Sequence, residues 1–250
     1  IAVGESVQKP GIYYENNVSK TVTLLNKMIQ HNVPYFIFSS TCAIMGEPQY
    51  LPLDEKHPRN PINPYGWSKF MVEQILQDFE QAHGLKSTVL RYFNASGADP
   101  DGEIGEKHDP ETHLIPLILD AAMGVRENIT IFGDDYETRD GTCIRDYIHV
   151  NDLAEAHLLA LNWMVENQQC NHFNLGNGEG FTVKEIIEVV EKVTGRSVPI
   201  KMGMRREGDA ASLVGSSEKA QKVLGWVPKL NSIEDIVSTA WNWHQRMRLM

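Results

Sequence analysis

The sequence predicts an α/β fold built from parallel βαβ units, and three observations lead there. Two segments carry apolar residues at helical spacing, each is followed by a short run rich in β-branched and aromatic residues, and the links between them are short. Val18, Val22, Leu25 and Ile29 mark one face of a helix over roughly 16–31, with Asn16 or Asn17 near its start. The run "PYFIFSS" (34–40) has the composition of a strand buried on both faces. After a proline-rich loop from Pro48 to Pro64, Val72, Ile75, Leu76 and Phe79 occupy one face of a second helix over 65–83, and Gly84 supplies its stop. "STVLRYFN" (87–94) then reads as another buried strand. Helix, strand, helix, strand with short links closes as parallel pairs.

Beyond Asn94 the texture changes. Long Gly-, Pro- and Asp-rich connections such as "ASGADPDGEIGEKHDPE" separate shorter regular pieces. The division expected is a first domain over 1–94 and a smaller, mixed α/β, loop-rich domain over 95–250, some of whose segments return to the first sheet. Two helices in the second part have start signals: Asp152 with Glu155, and Thr182 with Glu185, each fit a capping box. The second helix continues through Ile186, Val189, Val190 and Val193 and closes at Gly195.

Composition narrows the function. A chain of 250 residues, 42% of them hydrophobic, can bury a core, and a formal net charge of −10 repels nucleic acid unless cations gather on one face. Arg205-Arg206 is the one adjacent basic pair, which suits a small anionic ligand or a solvated surface better than a polyanion. No apolar run approaches the roughly 18–20 residues of a membrane span. Cys42, Cys143 and Cys170 are an odd, widely spaced set, so reduced thiols and a cytoplasmic setting are expected, with neither a disulfide framework nor a zinc site of paired cysteines.

The stretch "NPYGWSK" (63–69) carries the chemistry. Tyr65 and Lys69 stand four apart where the second helix begins, so both lie on one face. Bringing a phenol from a pKa of about 10 to neutrality asks for roughly 4 kcal/mol of electrostatic help, much of which one adjacent ammonium in a dry site supplies. The same pair also fits a packed tyrosine at a helix start with an exposed lysine. Thr41 ends the first strand in "SSTC", and ligands of open α/β sheets bind at the carboxyl ends of strands, so its hydroxyl is a third candidate. The alternative is that Ser39, Ser40 and Thr41 only satisfy turn backbone groups.

A strand ending in SST, then Y-x-x-x-K, then "LRYFNASGA" (90–98) resembles the extended short-chain dehydrogenase/reductase superfamily of nucleotide-sugar enzymes. The likeness continues through "HDPETHLIPLIL", "IFGDDYETRDGTCIRDYIHVNDLAEAH", "FNLGNGEGFTV" and "RREGD", and within the superfamily the set is similar to that of the C4 epimerases of UDP-hexoses. The resemblance implies a Rossmann-like doubly wound parallel sheet, NAD as cofactor, a UDP-sugar as substrate, and interconversion of UDP-glucose and UDP-galactose by oxidation, rotation and re-reduction at C4. It implies that Tyr65 is the acid/base at the 4-oxygen, that Lys69 bonds the nicotinamide ribose and lowers the tyrosine pKa, and that Thr41 holds the 4-oxygen. Asn17, Ser39 and Phe93 would contact the cofactor. Asn94 and the backbone of Leu114 would bind the substrate, Arg145 and Arg206 would clamp its diphosphate, and Asp209 would bond the uridine ribose. Related dehydratases carry a carboxylate just after the Thr41 position; Cys42 and Ala43 stand here, which favours epimerisation with a single acid/base. A homodimer is implied, with the helices over 16–31 and 65–83 as its face.

The pattern also departs from the superfamily. Its opening strand, glycine-rich turn and acidic residue are absent, so about 80 residues are expected to precede this stretch in a complete fold, Ile1 stands where a cofactor-binding lysine is expected, and weak NAD binding and weak turnover follow as expectations. Leu213, four residues after Asp209, falls where residue size governs tolerance of an N-acetyl group on the sugar. His108 and His113 flank a loop without a second ligand pair at usable spacing, so no metal site is expected. "GNGEG" (176–180) lacks phosphate-loop spacing and is expected to form a turn before Thr182, and Cys143 is as well explained by packing as by reactivity.

Overall fold

The computed structural model describes residues 3–206 and 209–249, so Ile1, and with it the expectation of a lysine-like role there, lies outside the described residues, as do Glu207 and Gly208. In chain order the elements are α1 (Val3–Gln8), α2 (Pro10–Tyr14), a π-helical turn (Glu15–Ser19), α3 (Lys20–Gln30), β1 (Tyr35–Thr41), a 3-10 turn (Cys42–Met45), α4 (Pro64–His83), β2 (Lys86–Tyr92) and β3 (Asn94–Ser96). They continue with α5 (Leu114–Ala122), β4 (Ile129–Phe132), β5 (Ile144–His149), α6 (Val150–Asn167), β6 (Asn171–Leu175), β7 (Gly180–Thr182), α7 (Val183–Thr194), β8 (Ile200–Gly203), β9 (Ser212–Leu213), α8 (Glu218–Leu224) and α9 (Ile233–Leu249). No helix among the described residues is long and apolar enough to cross a membrane.

Two compact units result. The first gathers the residues up to Tyr92 with Glu155–Leu175 and Gly215–Trp226. Its sheet has the order β1-β2-β6, all parallel, with Thr41 opposite Tyr92 and Tyr92 opposite Leu175. Leu25 and Met28 of α3 and Val72 and Leu76 of α4 pack with Phe38, Leu85 and Val89 of the sheet region. Helix α4 has the expected punctuation: the Asn63 side chain accepts from Gly66 N, Pro64 opens the first turn, and Gly84 at φ 72° closes the last with its N–H on the Glu80 carbonyl.

Three sequence expectations need correction here. The helix expected over 16–31 belongs to a helical path that opens at Pro10 and passes through the π turn, because Asn16 and Asn17 do not cap: Asn16 accepts from Lys20 Nζ and Asn17 donates to Ser68 Oγ. Strand β1 is only half-buried at Tyr35, Phe36 and Ile37, since among the described residues it has a single strand neighbour. The strand expected over 87–94 breaks at Phe93; β2 ends at Tyr92, and Asn94 opens β3 beside β5.

The second unit comprises Phe93–Ala154, Gly176–Val214 and the residues from Val227 onward. Strand β5 is its hub, pairing parallel with β3 and β9 and antiparallel with β7, while β4 and β8 form a separate parallel pair. Ile115, Ile118 and Leu119 of α5 pack with Ile186 and Val190 of α7 and with Ile236, Val237 and Trp241 of α9. Thr182 and Glu185 form the expected reciprocal capping box, and Gly195 closes α7 in the left-handed region. The helix start expected at Asp152 and Glu155 lies inside α6, which opens at Val150. Helix α6 starts directly from β5, His149 Nδ1 accepts from Asn151 N at 3.1 Å, and the Asp152 carboxylate accepts from Lys229 N and Leu230 N, each at 2.9 Å.

Candidate active site

In the first unit the candidate residues meet where β1 ends and α4 begins. Thr41 caps the 3-10 turn, its Oγ1 accepting from Ala43 N at 3.2 Å. Gly66, next to Tyr65, runs so close to this turn that a Cβ would stand 2.6 Å from the Ala43 carbonyl oxygen. That approach holds the first turn of α4 against the end of β1, and it brings the Thr41 hydroxyl near enough to the Tyr65 phenol to favour its ionised form. Gly66→Ala should therefore cost about 1–3 kcal/mol through forced separation of the two segments; an unchanged denaturation midpoint would refute the close approach.

Burial pushes the Tyr65 phenol up to about 12, with the nearby Thr41 hydroxyl pulling the other way and Cys42, Tyr92 and Tyr13 adding to the rise. The Tyr13 ring meets Tyr65 edge-on, centroids 6.3 Å apart. Lys69 does lie one helical turn on, yet its ammonium donates to the Ser39 carbonyl at 3.0 Å and sits over the Phe38 ring at 5.0 Å. Burial lowers the Lys69 pKa. In the chain alone desolvation sets the direction of the phenol's shift, and the Lys69 ammonium is engaged on β1. Ser39 Oγ is 3.4 Å from His157 Nε2, and Asn17 Nδ2 donates to Ser68 Oγ at 2.9 Å, one residue before Lys69. Asn17, Ser39, Thr41, Tyr65 and Lys69 are in this way tied to one end of the sheet.

A buried ion pair beneath this end was missed. Ser40 Oγ donates to Glu73 Oε1 at 2.6 Å, while Arg91 Nε and Nη2 donate to the two oxygens of the same carboxylate at 3.0 and 2.7 Å. The signal was there: an arginine inside the apolar run of β2, and a glutamate next to Val72 on the apolar face of α4.

In the second unit Arg145 lies on β5 and Leu213 on β9, directly paired. Arg206 Nε donates to Asp209 Oδ2 at 2.8 Å, and Arg145 Nη2 is 3.6 Å from Asp209 Oδ1, so one carboxylate draws both guanidinium groups together. Arg206 also lies 4.9 Å over the Phe132 ring. Arg205 is engaged elsewhere, on Asp135 and over Tyr136, which separates the roles of the basic pair. Asn94 Nδ2 donates to the Asp146 carbonyl at 2.8 Å beside the half-buried Phe93, and Leu114 opens α5, where a helix offers its own N–H groups no carbonyl partner. "GNGEG" turns as expected, held by Asn177 N and Gly178 N on the Asp146 carboxylate, and Cys143 is buried. His108 and His113 are joined by Glu106 and Glu111, a second ligand pair that a search for paired His and Cys overlooks.

Residues 1–176 match the NAD dependent epimerase/dehydratase family. The chain is 56% identical over 243 residues to the UDP-glucose 4-epimerase of Halalkalibacterium halodurans, a match that spans 97% of this chain and 73% of that protein. The chain belongs to the UDP-glucose 4-epimerase family. It superposes on the crystal structure of the Brucella ovis UDP-glucose 4-epimerase in complex with NAD with a TM-score of 0.93 at 49% identity, covering 96% of this chain and 74% of that one. For the Bifidobacterium longum UDP-glucose 4-epimerase in complex with NAD+ and UDP the TM-score is also 0.93, at 40% identity over 98% of this chain and 73% of that one. The donor set in the first unit suits the family's dinucleotide: an ammonium, an amide and hydroxyl groups at the carboxyl end of a parallel strand fit a ribose diol and a carboxamide.

Proposed function

We propose that the protein interconverts UDP-glucose and UDP-galactose with NAD as its cofactor. The juxtaposition of Thr41, at the end of β1, with Tyr65, in the first turn of α4, and Lys69 one turn along the same helix face carries this reading. NAD, when bound, supplies the hydride acceptor and donor for the sugar C4. Tyr65 takes the 4-hydroxyl proton and returns it to the other epimer, and Thr41 holds the 4-oxygen through its hydroxyl. Lys69 binds the nicotinamide ribose and contributes positive charge, which the phenol needs because burial holds it near 12. The residues after Thr41 form a 3-10 turn of sequence CAIM without a carboxylate, so the chain brings no second acid there for elimination of water. Asn17 and Ser39 would hold the cofactor, a role also assigned to Phe93, and Asn94 and the Leu114 backbone would hold the sugar nucleotide. Conversion of UDP-galactose by the intact, NAD-loaded protein, followed by coupled oxidation of the UDP-glucose formed, tests the reading; no product under those conditions refutes it.

Arg145 and Arg206 clamp the diphosphate and Asp209 bonds the uridine ribose. Their present pairing around Asp209 keeps both guanidinium groups in place for paired phosphate oxygens. Arg206→Ala should raise KM by about 10- to 100-fold, the loss of one charge-assisted contact, and leave kcat within a few-fold. A fall in kcat at unchanged KM would move Arg206 out of the binding role. Leu213, paired with Arg145, is intermediate in size between an aromatic residue and a small one, which supports some tolerance of an N-acetyl group; competition between UDP-glucose and UDP-N-acetylglucosamine measures it.

The protein acts as a homodimer through α3 and α4, whose outer faces expose Leu24, Trp67 and Met71. Sedimentation of the intact protein at micromolar concentration tests this, a monomer being the adverse result. The three free cysteines support a reducing, cytoplasmic setting.

A further inference from the structure

The segment that leads into α5 brings together Glu106, His108, Glu111 and His113, with one donor atom from each lying within 4.8 Å of all the others. The Nδ1 atoms of both imidazoles converge on a single carboxylate oxygen, Glu106 Oε1: His108 at 2.8 Å, and His113 in close contact. Glu111 faces the same rings, 3.2 Å from His113 Nδ1 and 3.8 Å from His108 Nδ1. The His113 nitrogen is shut off from solvent and yet has no hydrogen-bond partner, so its in-plane axis is not aimed at the oxygen it touches. Donors that crowd together without hydrogen-bond geometry are what a shared cation between them organises.

The surroundings hold this arrangement in place. Glu111 Oε1 accepts from the backbone N–H of Thr112 and of His113, at 2.7 and 2.8 Å, which orients its carboxylate. Trp243 Nε1 donates to the Glu106 carbonyl at 2.7 Å, and Gly105 lets the chain pass against the indole, where a Cβ would stand 2.3 Å from the ring. Two imidazoles and two carboxylates form a borderline donor set, suited to zinc; calcium and magnesium prefer six or more oxygens.

We propose that Glu106, His108, Glu111 and His113 form a zinc site whose four protein ligands tie the segment ahead of α5 to the start of that helix. Four protein donors complete a tetrahedron with bonds of about 2.0–2.2 Å and edges of roughly 3.4 Å, so the ion is structural; the two imidazoles now crowded on Glu106 move apart, and the more distant donors draw in, to meet it. The site is independent of the proposed reaction, in which none of the four side chains takes part.

The test uses the intact protein, stripped with EDTA, returned to chelator-free buffer and titrated with zinc chloride against a chromophoric chelator. One zinc per chain with Kd tighter than about 10 µM is expected, together with a higher thermal midpoint and, for cobalt(II) in its place, intense tetrahedral ligand-field bands. His108→Ala and Glu106→Gln should bind at least about 100-fold more weakly while unfolding in EDTA at the wild-type temperature, which separates loss of the site from loss of the fold. Zinc binding weaker than about 10 µM in the wild type, or equal binding by wild type and both variants, overturns the proposal.

Discussion

Replacing Tyr65 by phenylalanine should lower the turnover of UDP-galactose by about 10³-fold, within the range that a positioned acid/base supplies, while UDP-sugar affinity stays within about twofold. The substitution is conservative for the fold. The ring still meets Tyr13 edge-on, Thr41 keeps its cap on Ala43 N, and Gly66 still seats α4 on the 3-10 turn. Only the phenolic hydroxyl is lost. Unchanged turnover would remove Tyr65 from the acid/base role even if the protein proves an epimerase. The same variant isolates the phenol spectroscopically. In the chain without cofactor the wild-type minus variant absorbance should titrate near 12, since the folded pKa lies above the ordinary value of 10. The sign for stability follows: a raised folded pKa contributes stability that is present below pH 10 and is lost as pH rises through about 12. Bound NAD, cationic at the nicotinamide, should move that titration downward.

Glu73→Ala should be the most destabilising of the single changes considered, by about 3–5 kcal/mol, because it leaves the Arg91 guanidinium buried without its carboxylate. Both side chains are 2% exposed, and each Glu73 oxygen accepts from Arg91. Ser40 loses its acceptor in the same step, so strand β1, strand β2 and helix α4 all lose a polar tie. The thermal midpoint should fall by roughly 6–20 °C for a chain of this size. The double variant Glu73→Leu with Arg91→Met should regain most of that loss, since a buried ion pair replaced whole by apolar groups is close to neutral whereas a broken one is not. A loss below about 1 kcal/mol in the single variant would show that water reaches Arg91 and takes the place of the carboxylate, against the added repulsion of Arg59, which pairs with the same Glu73 at 3.8 Å.

Much of the fold was legible because its causes are local. Asn63, Pro64 and Gly84 bound α4 through backbone chemistry that needs no distant partner, and Thr182, Glu185 and Gly195 do the same for α7. The helix over 16–31 was misplaced at its start for a related reason. Asparagine is a good cap in isolation, but Asn17 is drawn to Ser68, 51 positions away, and Pro10 had already opened the helical path. The helix start read at Asp152 was misplaced likewise: α6 opens at Val150, and the Asp152 carboxylate accepts from the backbone of Lys229 and Leu230. Among the candidate site residues, Thr41 and Tyr65 could be paired from the order of strand and helix. The partner of Lys69 could not be foreseen, since a long flexible side chain on a helix face reaches either the phenol or the Ser39 carbonyl.

The sequence by itself determined the alternation of helix and strand, the parallel pairing, the caps of α4 and α7, and the placing of Tyr65 and Lys69 on one helical face. These depend on periodicity and on single-residue backbone preferences, which act over one or two turns. Tertiary structure decided where the charges went: Lys69 onto a strand carbonyl, Arg91 and Ser40 onto Glu73, Arg145 and Arg206 onto Asp209, and two histidines onto two glutamates ahead of α5. A buried polar group must find a partner, and which partner lies within about 3 Å is set by segments that meet only after the chain has folded.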